Sequence, residues 1–247
     1  MIKIRDLSKS FGKNRVLEDI NLDIKEGETT VVIGQSGVGK SVLIKHIIGL
    51  LKPDKGAIYV DGDDITKYDS KKMKEYLKRF GILFQNAALF DSMSVGENVA
   101  FPLREHTNLS NEEIKVKVAE KLHLVGLAGI EDMYPSELSG GMRKRLGLAR
   151  AIALDPEIMI FDEPTTGLDP VISDAIDNLI IETQKKLNLT NVVISHDIPG
   201  TFKIAHKIAM LYDCRLIETG APEEFKNSPN PIVQQFLARK AEGPMKI

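Results

Sequence analysis

The chain has 247 residues, 43% hydrophobic and 28% charged, the make-up of a soluble globular protein with room for one large domain or a core with a smaller insertion. Lys and Arg total 33 against 35 for Asp and Glu, so the formal charge of -2 provides no general pull toward nucleic acid or anionic lipid, although a local basic patch stays open. The single cysteine, Cys214, excludes an intrachain disulfide and fits a reducing compartment, and as a free thiol it is expected to be buried.

No stretch approaches the ~20 apolar residues that span a bilayer. The longest candidate, Val42 to Leu51, is broken by Lys45 and His46. Met1 to Asp6 lacks the apolar core of a signal peptide. The expectation is a chain that does not insert by itself and meets a membrane only through a partner.

Residues 2–33 alternate short apolar runs with turn signals. Ile20, Leu22 and Ile24 alternate with Asn21, Asp23 and Lys25, the period of a half-buried strand. Thr29 to Ile33 is denser and suits a strand buried on both faces. Lys40 to Leu51 reads as a helix stopped by Pro53 and Gly56, and 57–60 and 80–84 read as strands. From 86 to 155 the character turns helical. Ser110 and Glu113 make a capping box ahead of Ile114, Val118, Leu122 and Val125 at helical spacing. Gly141 to Leu154 is a second helix, closed by Asp155-Pro156. A buried strand at 158–161, a helix near 171–188, a strand at 191–195 and a hairpin over 207–219 complete the chain. There is no internal repeat and no low-complexity linker. The pattern predicts an α/β fold, with a mixed β core and a helical subdomain inserted at 86–155 of a single domain, 1–247, that ends in a short tail at 230–247. Spacing alone leaves open that the insertion is plain decoration.

Gly34-Gln35-Ser36-Gly37-Val38-Gly39-Lys40-Ser41 matches G-x-x-x-x-G-K-[ST], with a buried strand before it and a helix after it. Glycines let the backbone curl so that consecutive N–H groups point inward, and the helix start adds partial positive charge. Lys40 is expected to reach the β and γ phosphates, and the Ser41 hydroxyl to ligate Mg²⁺. A random chain of this length meets the pattern on the order of 1% of the time, and the strand–loop–helix context lowers that further.

Ile158 to Phe161 leads into Asp162 and Glu163, two acids at the strand's carboxyl end, where open α/β sheets bind ligands. Asp162 is expected to hold Mg²⁺ directly or through water. Glu163, pointing to the opposite side, could take a proton from the water that attacks the γ-phosphate. The strand 191–195 ends at His196, which could donate to the γ-phosphate, and Gln85 follows the strand 80–84. Each of these alone is as readily a surface residue or a turn cap.

Leu138-Ser139-Gly140-Gly141-Met142 opens a helix, and here the chain resembles the ABC ATPases over nearly its whole length. The order is the family's: phosphate loop at 34–41, Gln85, the signature at 138–141, the acidic strand end at 158–163, Asp169 in Gly167-Leu168-Asp169, and His196. The resemblance implies a P-loop NTPase fold of the ABC type, with ATP and Mg²⁺ as cofactors. It implies nucleotide contacts at Phe11 (stacking on adenine), Gly34, Ser36, Gly37, Gly39, Lys40, Ser41, Val42, Ser139, Gly140, Gly141 and Asp169. It places Mg²⁺ on Ser41, Gln85 and Asp162, and the reaction on Glu163, His196 and Gln85. It also implies a homodimer in which each ATP lies between the loop of one copy and the signature of the other. Met142 departs from the family's usual Gln, while the Ser139-Gly140-Gly141 part expected to touch phosphate is intact.

Within the family, residues 37–51, Met142, Arg143-Lys144-Arg145 and the ending Gln235-Phe236-Leu237 … Glu242-Gly243-Pro244 look like the Mla-type phospholipid transport ATPases. That likeness implies a cytoplasmic dimer, peripheral on the inner membrane beneath a multi-pass membrane permease with lipid-binding accessory subunits, and no nucleic acid partner. The segment Ala87 to Phe101, with Leu89 and Phe90, is then the permease-docking surface, or else ordinary core. An importer ATPase for a small polar solute and a non-transport ABC ATPase, as in iron–sulfur assembly, are the alternatives. A nucleotide-binding module without hydrolysis fits poorly with Glu163 and His196 both present.

Overall fold

The computed structural model describes residues 1–245, which form two compact units, Met1–Leu77 with residues 192–245, and Lys78–Asn191. Lys246 and Ile247, the end of the expected tail, lie outside the described residues.

In the first unit, β1 (Ile2–Phe11) and β2 (Asn14–Ile24) form an antiparallel hairpin with Ile2 opposite Ile24 and Ile4 opposite Leu22. The alternation at 20–24 is therefore the end of a long hairpin arm, and Ile2, Ile4, Leu7, Ile20, Leu22 and Ile24 all point into the core. β1 pairs on its other side with β4 (Lys55–Val60), which carries the short β5 (Asp63–Asp64). β3 (Thr29–Ile33) is buried at every position, as its unbroken apolar run requires. It runs parallel to β9 (Lys207–Tyr212), and β9 turns back antiparallel into β10 (Arg215–Gly220). Asp213 and Cys214 make that turn at φ 45° and 67°, the two left-handed positions of a type I′ hairpin. The pairs among β2, β1, β4 and β5 are all antiparallel, while β3, β9 and β10 combine a parallel with an antiparallel pair, the mixed core expected.

α1 (Lys40–Ile47) stops short of Leu51. Pro53 and Gly56 do not end it. Gly49 does, at φ 73°, where the Gly49 and Leu51 N–H groups bond back to the His46 and Lys45 carbonyls. A side chain there would also meet Met73 of α2 (Ser70–Leu77), a helix that the sequence pattern did not signal. α7 (Ile198–Ile204), α8 (Pro222–Lys226) and α9 (Pro231–Leu237) are short and were likewise unsignalled. After α9 the chain folds back, and Gln235 bonds to the Met245 N–H and to the Lys240 and Ala241 carbonyls.

In the second unit, β6 (Phe80–Leu83) and β7 (Ile158–Asp162) are parallel, with Leu83 opposite Phe161. Four helices accompany them: α3 (Val95–His106), α4 (Asn111–Leu124), α5 (Gly140–Ala151) and α6 (Pro170–Leu187). The capping box read at Ser110 and Glu113 is present, and Ser94 with Glu97 makes a second at α3. α5 ends at Ala151 rather than Leu154, and the chain after it turns through Asp155 at φ 51°. The chain passes between the units twice, after Leu77 and, within β8 (Thr190–Ile194), after Asn191. Among the described residues no helix is long and apolar enough to cross a membrane.

Candidate functional site

The first unit carries Phe11, the loop 34–41, Val42 and His196, and the second carries Gln85, Ser139 to Gly141, Asp162, Glu163 and Asp169.

The loop leaves β3 at Gly34, whose φ of 149° would bring a Cβ to 2.2 Å from the Leu211 carbonyl oxygen. At Gly39, φ is 111° and a Cβ would stand 2.9 Å from Val16. Neither position admits a side chain. Gly39 is the N-cap of α1 and brings no side-chain cap to the helix start, which suits the reception of an anion there. Lys40 is buried, and its Nζ donates to the Gly34 and Gln35 carbonyls at 2.8 and 2.7 Å, which fixes an ammonium inside the loop. Ser36, Gly37 and Ser41 are exposed, and Val42 is half-buried.

A cavity of about 300 Å³ adjoins the loop, lined by Asn14, Arg15 and Val16, by Gln35 to Val38, and by Tyr212 to Cys214. Phe11 pairs across the β1–β2 turn with Asn14, is 48% exposed, and has the Lys9 ammonium 5.6 Å from its ring centre. Cys214 is not the core residue expected from composition. It is half-buried on the cavity wall, because it occupies the hairpin turn rather than a strand. Its Sγ donates to the Arg15 carbonyl at 3.2 Å, and partial burial raises the thiol's pKa. Hydrogen bonds from Arg215 and Arg15 draw the Glu18 carboxyl down to about 2, and the Glu18 N–H donates to the Cys214 carbonyl at 2.8 Å. That network ties the turn to β2.

His196 follows β8 and is exposed. The Ser195 N–H bonds to the Val32 carbonyl at 3.3 Å, so His196 and the loop leave neighbouring strands of the unit at the same end.

In the second unit the parallel register places the ends of β6 and β7 together, so Gln85 emerges beside Asp162 and Glu163. Glu163 has a left-handed backbone, φ 51°, and its Oε2 accepts from Thr166 Oγ1 at 2.9 Å. Lys144, on α5, is only 6% exposed, and its Nζ donates to the Gln85 carbonyl and, at 3.4 Å, to the Glu163 carbonyl. Burial lowers the pKa of that lysine, against the pull of the Glu163 and Asp162 carboxylates. Sequence reasoning used Lys144 only as part of a basic run. The signal was the buried stripe Gly141, Lys144, Leu148, which faces inward on α5.

Ser139 caps α5 by accepting from the Met142 N–H at 3.3 Å. A Cβ on Gly141 would meet Ile172 at 2.7 Å, so the signature's glycine lets α5 sit close against the start of α6. Asp169 caps that start, accepting from the Val171 and Ile172 N–H groups at 3.0 Å each. The signature and Asp169 are thus packed together. Among the described residues no three His, Cys, Asp or Glu side chains form an all-protein metal cage.

Comparison with known proteins agrees in kind. The ABC transporter family model matches residues 17–166. The chain is 45% identical to the probable ribonucleotide transport ATP-binding protein mkl of Mycobacterium leprae, over 99% of this chain and 70% of the relative. It is 42% identical to the intermembrane phospholipid transport system ATP-binding protein MlaF of Haemophilus influenzae, over 100% of this chain and 94% of the relative. Among solved structures, cbiO1 of Clostridium perfringens, part of the ABC transporter complex cbiONQ, superposes with a TM-score of 0.86 at 33% identity, over 92% of this chain and 90% of that one. The dimeric cassette MJ0796 bound to ADP and Pi gives 0.80 at 30% identity, over 90% and 99%.

Proposed function

The chain belongs to the ABC transporter family as an ATP-hydrolysing, nucleotide-binding subunit, and on that premise we propose that its ATP use drives phospholipid movement through a multi-pass membrane permease. The observation that carries the lipid reading is the full-length likeness to the phospholipid-system ATPase of Haemophilus influenzae, 42% over 94% of that relative. Met142, the run 143–145 and the ending at 235–244 support the same subgroup.

In this reading the α1 N-terminus and Lys40 hold the phosphates of ATP, with Gly34, Ser36, Gly37, Gly39 and Val42 shaping the cradle. The cavity beside Asn14 and Phe11 takes the nucleoside, with Phe11 stacked on adenine. Ser41, Asp162 and Gln85 offer hard oxygen donors to Mg²⁺, an ion usually held by one or two protein ligands plus substrate phosphates. When bound, that ion supplies positive charge at the β and γ phosphate oxygens. Glu163 orients the attacking water and accepts its proton, and His196 donates to the γ-phosphate. Ser139, Gly140 and Gly141 offer a second helix start to the nucleotide of another copy, with Asp169 at the junction, so the working unit is a homodimer.

The permease would dock on the segment from Ala87 to Phe101. Phe90 there is exposed yet fixed, its ring tilted against Phe101 with 4.8 Å between centroids, covered by Arg150, and bonded through its backbone to the buried Asn98. Docking places the chain on the cytoplasmic face of the inner membrane, with lipid-binding accessory subunits on the permease.

The test is to purify the chain with its membrane partner in mild detergent, identify protein and bound small molecules by mass spectrometry, and measure MgATP-dependent phosphate release. A multi-pass protein carrying phospholipid is expected. A ribonucleotide, or a periplasmic solute-binding protein without lipid, would overturn the lipid reading in favour of a polar-solute transporter. A soluble scaffold in place of a membrane protein would overturn the transport reading of this chain.

A further inference from the structure

We infer that Lys144 is a positioning residue for hydrolysis: its ammonium joins the Gln85 and Glu163 backbone carbonyls and holds these two residues in fixed register. Lys144 projects inward from the second turn of α5 and is 6% exposed. Taking an ammonium out of water is costly unless its donors are met. Here the ammonium donates to the carbonyls of Gln85 and Glu163, which follow two parallel neighbouring strands, β6 and β7. An apolar side chain of the same length would fill the space without that cost, so the donor has a purpose other than packing.

The buried Lys121 shows what a structural lysine looks like in the same unit. It pairs with a carboxylate, Asp155, in the turn after α5. Lys144 instead grips the backbone at Glu163. The peptide there is left-handed at φ 51°, a conformation that a non-glycine residue keeps only when its surroundings hold it. The Lys144 bond to the Glu163 carbonyl and the Thr166 bond to its Oε2 are two such restraints, one on the backbone and one on the carboxylate. The same lysine stands on the helix that opens with Ser139, Gly140 and Gly141, so the signature and the carboxylate share one anchor.

The inference rests on the reading of Glu163 as the base. Lys144→Met should lower kcat by about tenfold to a hundredfold, the cost of misplacing a reacting group by about 1 Å. KM for ATP and the affinity for a fluorescent ATP analogue should stay unchanged, because neither carbonyl belongs to the phosphate loop. Lys144→Arg, which keeps a long cationic donor, should recover most of the rate, and Lys144→Gln should fall between. A purely packing role would lower the melting temperature of all three and leave kcat per folded molecule untouched. The cycle with Glu163→Gln separates the two ideas. With the base already lost, adding Lys144→Met should cost no further rate, whereas an additive loss overturns the inference. Should the Met variant not fold, the Arg and Gln variants carry the test, and equal rates in both would sink it. Full turnover by Glu163→Gln alone would refute the Glu163 reading itself. A dead Glu163→Gln beside a fully active Lys144→Met would refute only the positioning role.

Discussion

Glu163 carries its carboxylate from a backbone position that few glutamates adopt, and Thr166 holds one of its oxygens. On the proposed reading of Glu163 as the base, a carboxylate fixed this way contributes to the chemical step and little to binding. Glu163→Gln keeps the size and the Thr166 contact but cannot take a proton. Phosphate release should fall by about 10²–10⁴-fold with nucleotide affinity retained, as paired kinetic and binding titrations would show. Cys214 provides a second reading at this scale. It is the sole cysteine, it stands on the wall of the cavity beside the phosphate loop, and burial raises its pKa. Its reaction with a maleimide should therefore be slow at neutral pH, faster as pH rises, and slowed further by ATP in the cavity. Labelling indifferent to ATP would move the nucleoside elsewhere. Composition had placed this thiol in the core. Its true place depends on a two-residue turn between β9 and β10, and no periodic pattern carries the geometry of a turn.

At the scale of elements, α1 binds the loop to the core through its buried face, and His46 lies on that face with its Nδ1 on the Val42 carbonyl at 2.8 Å. Burial lowers the pKa of His46 below the ordinary 6.5. The Lys9 ammonium adds to this, while the Val42 and Lys52 carbonyls and the Asp54 carboxylate oppose it. The unfolded chain then binds a proton that the folded one refuses. Stability should fall as pH drops below about 6.5 and level off beneath the folded pKa. Melting curves from pH 7.5 to 5 should show the slope, and His46→Leu should flatten it. A second element contact pins α4 to the turn after α5, where Lys121, 2% exposed, meets the half-exposed Asp155 at 2.5 Å. Asp155→Ala leaves the buried Lys121 ammonium only the longer contact to Glu120 at 3.6 Å and should cost about 1.5–3 kcal/mol by denaturant unfolding. Lys121→Met should cost less, because Asp155 keeps Lys117 at 2.9 Å and solvent. The strands β3 and β7 were legible because burial on both faces demands an unbroken apolar run, and α4 because one buried face imposes a helical period. α2 and α7 to α9 were not, since a helix of about two turns has too few residues to show one. The site followed the same rule. Lys40, Asp162 and Glu163 sit in local motifs that can be read along the chain, while Lys144 bonds to carbonyls 59 and 19 residues away that only the fold brings near.

For the molecule as a whole, the question is whether one copy completes its own reaction site. The phosphate loop and the signature each end in a helix start suited to an anion, and the cassette MJ0796 forms a dimer in its ADP- and Pi-bound state. If each ATP is held by the loop of one copy and the signature of the other, defects in the two motifs complement in a predictable way. Lys40→Ala removes the cation from the loop. Gly140→Asp puts a carboxylate at the start of α5, where it repels phosphate. Each variant alone should be inactive, because both sites of its homodimer contain the defect. A mixed dimer has one site with both defects and one with neither. Random mixing makes half of the dimers mixed, so an equimolar sample should recover up to about a quarter of the wild-type rate. The recovery should follow the mixing ratio with a maximum at equal amounts and vanish under dilution that separates the copies. A mixture as inactive as its parts would mean that each chain serves its own nucleotide or that one intact site cannot turn over. Glu163→Gln distinguishes these outcomes: with MgATP it should elute as a stable dimer in size-exclusion chromatography if copies share sites, and as a monomer if they do not.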